Sequence, residues 1–358
     1  MPRPNRPWGF SEEPPMPLRA VRRRMKIIPL HRRGAGVGYE PEDPPRRLTP
    51  SALPGGDFQE RPRMKTRDFK LHGIIPVMVT PFDASGRVEL DSLRREAEFL
   101  TKTGVHGLCV GGVISEMAGS SAEEIHLICR SVISTTDKPV VAAVFPDCNV
   151  EAFELAEASV SAGAMALLVA PPHYLFSPDH DGLLEMFTAL RQRVAVPLLL
   201  SNCIQTAQVE LSSIQALMNQ GVIDGMHQAG GNAHLLADIL HLRPRVPVFS
   251  GVEDLTYMAL LLGAEGAISA LAAVSPQDCV ALYEATRAGD STRAREVHEK
   301  LIRLWHALDH PVELLSRIKW ALGMQRRAVG VPRSPYNVMS GENQRILRET
   351  LERQGNVL

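Results

Sequence analysis

Hydrophobic residues occur in short, unbroken runs along the chain from Lys70 onward. Amphipathic stretches separate these runs, and one of them, LDSLRREAEFLTKTG, ends at Gly104, which is typical of a helix terminus. Apolar runs without polar alternation are typical of parallel strands that are buried on both faces. The pattern therefore predicts strands that alternate with helices. The eight runs are GIIPVMV, GLCV, PVVAAVF, ALLVAPP, PLLLSN, GVIDGMH, PVFSG and GAISA.

An eightfold alternation of strand and helix within about 200 residues predicts an α/β fold of the (β/α)8 TIM-barrel type. A doubly wound sheet is the alternative, but no GxGxxG pattern follows the first run. Three or four further helices are predicted after Ser275, on the outside of the barrel or at a subunit interface. We therefore divide the chain into an arm at 1–66, a barrel at 67–274 and a C-terminal helical extension at 275–358.

The beginning of the chain has a different composition. Its first 63 residues hold 13 of the 27 prolines and 13 Lys/Arg against 7 Asp/Glu, a net charge of +6. Proline fixes φ and removes a backbone donor, so this segment is predicted to be a disordered or extended arm. Its arginines could bind an acidic partner. A solvated tail, or a true start near Met64, is the simpler interpretation.

The composition of the whole chain is that of an ordinary globular protein, with 44% hydrophobic and 22% charged residues. A net charge of -1 favours neither nucleic acid nor a membrane surface, and no apolar run approaches the roughly 18 residues of a membrane span. Five scattered cysteines without CxxC spacing predict no disulfide framework and suggest a cytoplasmic protein. Cys109 and Cys203 are expected to be inert core thiols.

Polar residues that follow the predicted strands are the candidates for chemistry. The active sites of (β/α)8 barrels lie at the C-terminal ends of the strands. The candidates are Thr80, Ser115, Glu116, Asp147, Tyr174, Ser201, Asn202, His227, Glu253, Asp254 and Ser269.

Three separated segments, GIIPVMVTPFDASGRVELDSL, GVEDLTYMALLLGAEGAISALAAVSP and PVELLSRIKWALG, occur in this order along the chain. Together they resemble the opening, the seventh and eighth strands, and the C-terminal helices of the dihydrodipicolinate synthase / N-acetylneuraminate lyase superfamily. The resemblance extends from about Phe69 to Arg333. It implies a barrel of the class I aldolase type, in which a lysine on strand six forms a Schiff base with pyruvate.

The functional positions that the resemblance implies are changed in this chain. The superfamily's strand-two motif Gly-Thr-Thr-Gly-Glu corresponds to GVISE at 112–116, where Val113 and Ile114 replace both hydroxyl residues. Ser201 stands where the resemblance implies a proton-relaying tyrosine, and Thr206 where some members carry an arginine for a substrate carboxylate. The tyrosine-rich loop after strand four keeps one tyrosine, Tyr174.

The Schiff-base lysine on strand six corresponds to His227. An imidazole cannot form the stable imine that a lysine amine forms. No other lysine is predicted at a strand end, and Lys319 is expected to be a surface charge on an outer helix. We therefore expect His227 to act as a general acid or base, with its tautomer fixed by Tyr174 or Ser201. A neutral histidine that only fills the lysine's space, hydrogen-bonded to the same partners, is the alternative.

The residues expected to bind substrate surround this position. Loss of the two hydroxyls at the strand-two loop weakens carboxylate binding, so we expect a ligand larger or less polar than pyruvate. Leu175, Phe176 and Met226 are expected to line the mouth beside Val113 and Ile114. The substrate-binding candidates are Thr80, Val113, Ile114, Ser115, Asn202, Thr206 and Ser269.

A metal site remains an alternative, since His227 could join Glu116 and Glu253 or Asp254 around a divalent ion. No spacing motif supplies two ligands at once, so we predict neither metal nor cofactor. The sequence predicts a lyase that acts on a small molecule without a Schiff base, as a cytoplasmic homo-oligomer (dimer or tetramer). A catalytically inactive barrel that binds a metabolite or a protein partner is the alternative. A mouth sealed by Phe176 and Met226 would favour that alternative.

Overall fold

A computed structural model describes residues 71–336, 338–353 and 355. The predicted arm lies outside these residues and stays a prediction. Eight strands alternate with eight helices in the barrel. The strands are β1 (Gly73–Pro76), β2 (Leu108–Val110), β3 (Val140–Val144), β4 (Ala166–Val169), β5 (Leu198–Asn202), β6 (Gly225–Gln228), β7 (Val248–Ser250) and β8 (Gly266–Ser269). The helices are α1 (Leu90–Thr101), α2 (Ala122–Ile133), α3 (Asn149–Ser161), α4 (His180–Arg193), α5 (Leu211–Asn219), α6 (Ala233–His241), α7 (Thr256–Leu261) and α8 (Leu271–Val274).

All strand pairs are parallel. From β2 to β8 each strand pairs with the next in sequence, and β1 pairs with β8 over the full length of both strands. The ring closes between β1 and β2 through one bridge of Val77 and Cys109, beside which the Met78 N–H donates to the Cys109 carbonyl at 2.8 Å. The predicted (β/α)8 barrel is confirmed, and the doubly wound sheet is excluded.

The strands form because their apolar runs are buried on both faces. Every residue of β3 is buried, as expected for a strand between a filled barrel interior and an outer layer of helices. The approach of β1 to β8 is unusually close, and a Cβ at Gly266 would lie 1.9 Å from the Gly73 carbonyl oxygen. Only glycine fits at position 266, because the obstacle is backbone and cannot move aside.

The helices start at residues whose side chains cap them. The Ser121 hydroxyl accepts a hydrogen bond from the Glu124 N–H at 3.1 Å, and the side-chain Oδ1 of Asn232 accepts one from the Leu235 N–H at 3.0 Å. Asp179 caps α4 in the same way, and Asp290 caps the later helix Ser291–Leu308. Each such cap satisfies a backbone donor that has no partner within the helix.

Four helices follow the barrel: α9 (Pro276–Arg287), α10 (Ser291–Leu308), α11 (Leu314–Met324) and α12 (Gly341–Arg353). One stripe of α10 is buried at three- and four-residue spacing, which is the periodicity of an amphipathic helix packed on a protein surface. The stripe consists of Ala294, Val297, Leu301, Leu304 and Leu308. Within the described part of the chain, no helix combines the length and apolar character that a bilayer crossing requires.

Candidate active site

His227 lies on β6, in register with Ser201 on β5 and Phe249 on β7. Its side chain is only 6% exposed. The imidazole Nδ1 lies 3.1 Å from the Ser201 Oγ, and Nε2 lies 3.2 Å from the carbonyl oxygen of Ile268 on β8. The structure therefore brings His227 together with one of its two predicted partners, Ser201.

The partner on each side fixes the tautomer of His227. A carbonyl oxygen can only accept, so the contact with Ile268 places the imidazole proton on Nε2. Nδ1 then carries the lone pair and accepts the hydroxyl proton of Ser201. Burial lowers the pKa of His227 to about 4, and the hydrogen bond to the Ile268 carbonyl offsets this only in part. The ring is therefore neutral near pH 7.

Gly251, just after β7, makes room for the imidazole. A Cβ at this position would lie 2.2 Å from the His227 Nε2 and 2.6 Å from the Ala229 Cβ. Any other residue would push the ring away from the Ile268 carbonyl. Gly251 was not among the predicted site residues, although a glycine at the end of the apolar run PVFSG was a usable signal.

Tyr174 lies away from this pair. It is 76% exposed in the loop between β4 and α4, and Leu175 and Phe176 beside it are also exposed. Among the described residues, the hydrogen bonds of His227 go to Ser201 and Ile268 and not to Tyr174. Met226 is fully buried and, as the strand neighbour of His227, points to the opposite face of the sheet. The expectation that Met226 lines or seals the mouth is therefore wrong, whereas for Leu175 and Phe176 it stays a prediction.

The strand-two loop forms a short 3-10 turn at Val113–Ser115. Val113 is exposed, whereas Ile114 and Ser115 are buried. The Ser115 hydroxyl donates to the Met78 carbonyl at 2.5 Å, and the Thr80 hydroxyl lies 3.7 Å from the Met117 sulfur. Of the substrate-binding candidates here, Val113 presents its side chain to solvent, and the hydroxyls of Thr80 and Ser115 are bonded within the protein.

The β5 end holds two further candidates. Asn202 is completely buried, and its amide donates to the Val209 carbonyl at 3.2 Å and to the Gln228 Oε1 at 2.9 Å. The side-chain oxygen Oδ1 of Asn202 accepts from the Val209 N–H at 2.8 Å. These bonds tie the loop after β5 to β6. Thr206 lies in the exposed turn Gln205–Ala207.

Ser269, the last candidate, is bonded to Glu253. Its hydroxyl donates to the Glu253 Oε2 at 2.5 Å, and the Ala270 N–H donates to Oε1 at 2.6 Å. Burial raises the pKa of Glu253 to about 7, against the lowering effect of these hydrogen bonds. Glu253 therefore acts as a cap that connects the loop after β7 to the start of α8.

The carboxylates of the metal alternative are not gathered around His227. Glu116 pairs with Lys319 on the β1–β2 side of the barrel, and Glu253 is held by Ser269 and Ala270. Among the described residues, no three His, Cys, Asp or Glu side chains lie close enough together to hold a metal ion.

Lys319 overturns an expectation. It was expected on the surface of an outer helix, but it is 1% exposed. Its ammonium donates to the carbonyls of Thr80 at 2.8 Å and Val331 at 3.0 Å, and it pairs with the Glu116 carboxylate at 2.5 Å. Burial lowers the pKa of Lys319, and the charge of Glu116 opposes that effect. A sequence signal existed, because Lys319 stands three residues before buried Leu322 and thus on the apolar face of α11.

Glu116 braces the strand-two loop from the other side of this pair. It adopts a left-handed backbone conformation with φ 58°, and its Oε2 accepts from the Arg333 N–H at 2.6 Å. The loop is therefore held by α11 and by the segment that follows it.

A cavity of about 850 Å³ lies at the opposite end of the barrel. Three of its lining residues each stand immediately before a strand: His72, Asp224 and Glu265. The N-terminal ends of barrel strands serve stability rather than chemistry, so the site around His227 remains the candidate.

Comparison with known proteins assigns the chain to a family. The sequence profile of the dihydrodipicolinate synthetase family matches residues 70–354. The chain belongs to this family. A 4-hydroxy-tetrahydrodipicolinate synthase of Methanothrix thermoacetophila is 33% identical over 292 residues, which cover 80% of this chain and 97% of the relative. A second, from Archaeoglobus fulgidus, is 30% identical over 286 residues, covering 78% and 97% of the two chains.

A solved structure of the same family has the same fold. It is that of YagE, a prophage protein of the dihydrodipicolinic acid synthase family from E. coli K12, in complex with pyruvate. It is 27% identical, matches with a TM-score of 0.75, and covers 79% of this chain and 98% of its own. As a member of the dihydrodipicolinate synthetase family, the protein is a relative of lyases, and the resemblance noted in its sequence is confirmed at the level of the superfamily.

Proposed function

We propose that this protein is a dihydrodipicolinate synthase-like lyase that acts without a Schiff base and uses His227 as its base. The observation that carries the proposal is the imidazole on β6, hydrogen-bonded to Ser201 at the C-terminal end of the strands. An imidazole cannot supply the amine that imine chemistry needs. The ammonium of Lys319, the buried lysine on α11, is held by the carbonyls of Thr80 and Val331 and by the carboxylate of Glu116.

The geometry supports a short proton relay. A substrate hydroxyl gives its proton to the Ser201 oxygen while Ser201 gives its own proton to Nδ1 of His227. The imidazolium that forms donates from Nε2 to the Ile268 carbonyl, which stabilises it. Because the pKa of His227 is about 4, the ring is in its proton-accepting form throughout the neutral range.

The strength of such a base limits the reaction class. General acid–base catalysis contributes roughly 10²–10⁴-fold to a rate, about 3–5 kcal/mol. Enzymes lower barriers by about 8–23 kcal/mol overall. A base of low pKa in place of an imine therefore suits an easy reaction on an activated substrate, such as a dehydration, a hydration, an enolisation or a retro-aldol cleavage.

The surroundings support a ligand larger or less polar than pyruvate. Val113 and Ile114 offer no hydroxyl to a carboxylate, and Thr206 brings no positive charge. The cations near the strand-two loop are engaged, since Lys319 pairs with Glu116 and Arg333 pairs with Glu124. We further propose that the protein works in the cytoplasm as a homo-oligomer, a dimer or tetramer, for which the exposed apolar side chains after β4 offer a surface.

A catalytically inactive barrel that binds a metabolite is the second candidate. It is favoured by the fact that both ring nitrogens of His227 already have protein partners and that Tyr174 contacts neither of them. His227→Asn keeps a similar volume and one hydrogen bond but accepts no proton. Once a substrate is found, loss of roughly 10²–10⁴-fold in kcat in this variant supports catalysis, and full retention supports the inactive barrel.

Incubation with pyruvate and borohydride, followed by intact-mass measurement, tests the central proposal directly. The wild-type chain should gain no adduct, because position 227 carries no amine. His227→Lys is the matched control, since it restores an amine at the same point of β6. An adduct on the wild-type chain, at Lys319 or at any other lysine, would refute the proposal.

A further inference from the structure

We infer that the ligand group that reaches the His227–Ser201 pair is an uncharged hydrogen-bond donor, so that the substrates are hydroxylated compounds rather than 2-oxo acids. The inference deepens the proposed function and rests on its choice of site. It follows from the direction of three consecutive hydrogen bonds, from the residues that border them, and from the absence of a free charge at this point of the described structure.

The direction of the hydrogen bonds is fixed from one end. The Ile268 carbonyl can only accept, so His227 donates to it from Nε2 at 3.2 Å. His227 then has only a lone pair left on Nδ1, and Ser201 must donate to it at 3.1 Å. The single hydroxyl proton of Ser201 is engaged in this bond. What its oxygen offers to a ligand is therefore a lone pair.

Three partly exposed residues border this pair and are called the floor residues: Cys203, Gly251 and Ala270. Each is tied to the relay. Cys203 interacts with the Ser201 hydroxyl, Gly251 contacts the imidazole at the point where a Cβ would overlap it, and Ala270 follows the Ile268–Ser269 pair on β8. The proposed ligand group approaches Ser201 from the C-terminal face, past these residues.

None of the floor residues brings a charge. Burial raises the pKa of Cys203 to about 11, so its side chain remains a thiol near pH 7. His227 is neutral for the reason given above, and the Glu253 carboxylate is occupied by Ser269 and Ala270. At the Ser201 oxygen, a carboxylate or ketone would face a lone pair, whereas a hydroxyl would meet an acceptor. Leaving a buried polar group unpaired in this way weakens binding.

The neutral pair lactamide and pyruvamide provides the sharpest test. The two molecules have the same skeleton and differ at one carbon, which bears a hydroxyl donor in lactamide and a ketone acceptor in pyruvamide. Binding is measured by ligand-observed NMR titration of the full-length chain. We expect lactamide to bind about tenfold more tightly, the ratio that corresponds to a difference of 1.4 kcal/mol. Ser201→Ala should bring the ratio close to one.

Ser159→Ala is the matched control, because Ser159 is also buried and donates to the Leu155 carbonyl of α3, outside the site. This variant should keep the tenfold preference. ¹⁵N-histidine NMR supplies a reading that needs no ligand, and it should show a protonated Nε2 and an unprotonated Nδ1 at His227.

Equal binding, a preference for pyruvamide, no binding of either compound, or a proton on Nδ1 would each overturn the inference. These outcomes are separate from the fate of the proposed function. A chain that prefers lactamide but turns over no substrate keeps the inference and loses the activity. A chain that forms a borohydride-trapped pyruvate adduct loses the Schiff-base-free mechanism whatever its preference among the amides.

Discussion

A buried imidazole and a buried ammonium group require different hydrogen-bond partners. A buried ammonium needs three acceptors, as the surroundings of Lys319 show. The imidazole of His227 needs one acceptor and one donor, and Ile268 and Ser201 provide them. Ser201 and His227 are therefore matched to each other, because the short serine hydroxyl donates to the ring.

His227 should make stability depend on pH. Its pKa is about 6.5 in the unfolded chain and about 4 in the folded one, so between these values the unfolded chain binds more protons. Stability contributed by the neutral ring is complete above about pH 6.5 and declines as the pH falls toward 4, by up to roughly 3 kcal/mol. His227→Gln removes this dependence, because glutamine does not titrate.

Urea denaturation near pH 7 and near pH 5 measures the effect as the change in unfolding free energy of the wild type minus that of the variant. His241→Gln, at an exposed histidine on α6, is the control and should behave like the wild type. Identical pH dependence in wild type and His227→Gln would show that His227 is not buried as a neutral ring.

At the scale of elements, α11 is more than an outer helix, because Lys319 extends from it to the ends of β1 and β2. Lys319→Met should cost about 3–5 kcal/mol of unfolding free energy, since it leaves the Glu116 carboxylate buried without its charge partner. Adding Glu116→Gln removes that charge and should recover part of the loss. Chemical denaturation of the single and double variants measures both effects.

Lys300→Met is the matched control for this prediction. Lys300 pairs with Asp278 at 2.8 Å, but both side chains retain solvent contact. An exposed pair of this kind is worth at most about 1 kcal/mol. If Lys319→Met costs no more than Lys300→Met, the ammonium on α11 does not hold the strand-two loop.

The strands and the barrel could be predicted from the sequence because an apolar run buried on two faces leaves a local pattern. The contacts of individual side chains were harder to predict from the sequence. Ser201 could be named as a partner of His227, because neighbouring strands converge, but the Ile268 carbonyl is backbone and carries no signal in the residue type. Lys319 was misjudged because its charge was weighed above its position on the helix. Tyr174, the other named partner, makes no hydrogen bond to His227 in the described structure, since the path of a loop depends on packing that the sequence does not display.

At the scale of the whole molecule, the beginning of the chain is predicted to be dispensable for folding. The first 63 residues combine many prolines with no apolar periodicity, so they can bury little surface. A chain that starts at Met64 should melt within a few degrees of the full-length chain in calorimetry. A large drop in melting temperature would show that the barrel depends on contacts from the arm.

The pairing of β1 with β8 has a consequence for the order of events during synthesis. β1 is the first strand of the described residues to leave the ribosome, yet its main partner, Gly266–Ser269, emerges almost 200 residues later. Until then the described contacts of β1 with the β2 side are the bridge at Val77 and a few hydrogen bonds, such as that from the His106 N–H to the Ile74 carbonyl. Strands β2 to β5 can pair with their sequence neighbours as they emerge. Over the same period β1 lacks its main pairing partner, and its apolar side chains stay exposed to solvent. For most of its translation the nascent barrel therefore exposes an unpaired, apolar strand edge that is prone to aggregation. This edge is the point at which a chaperone would be needed.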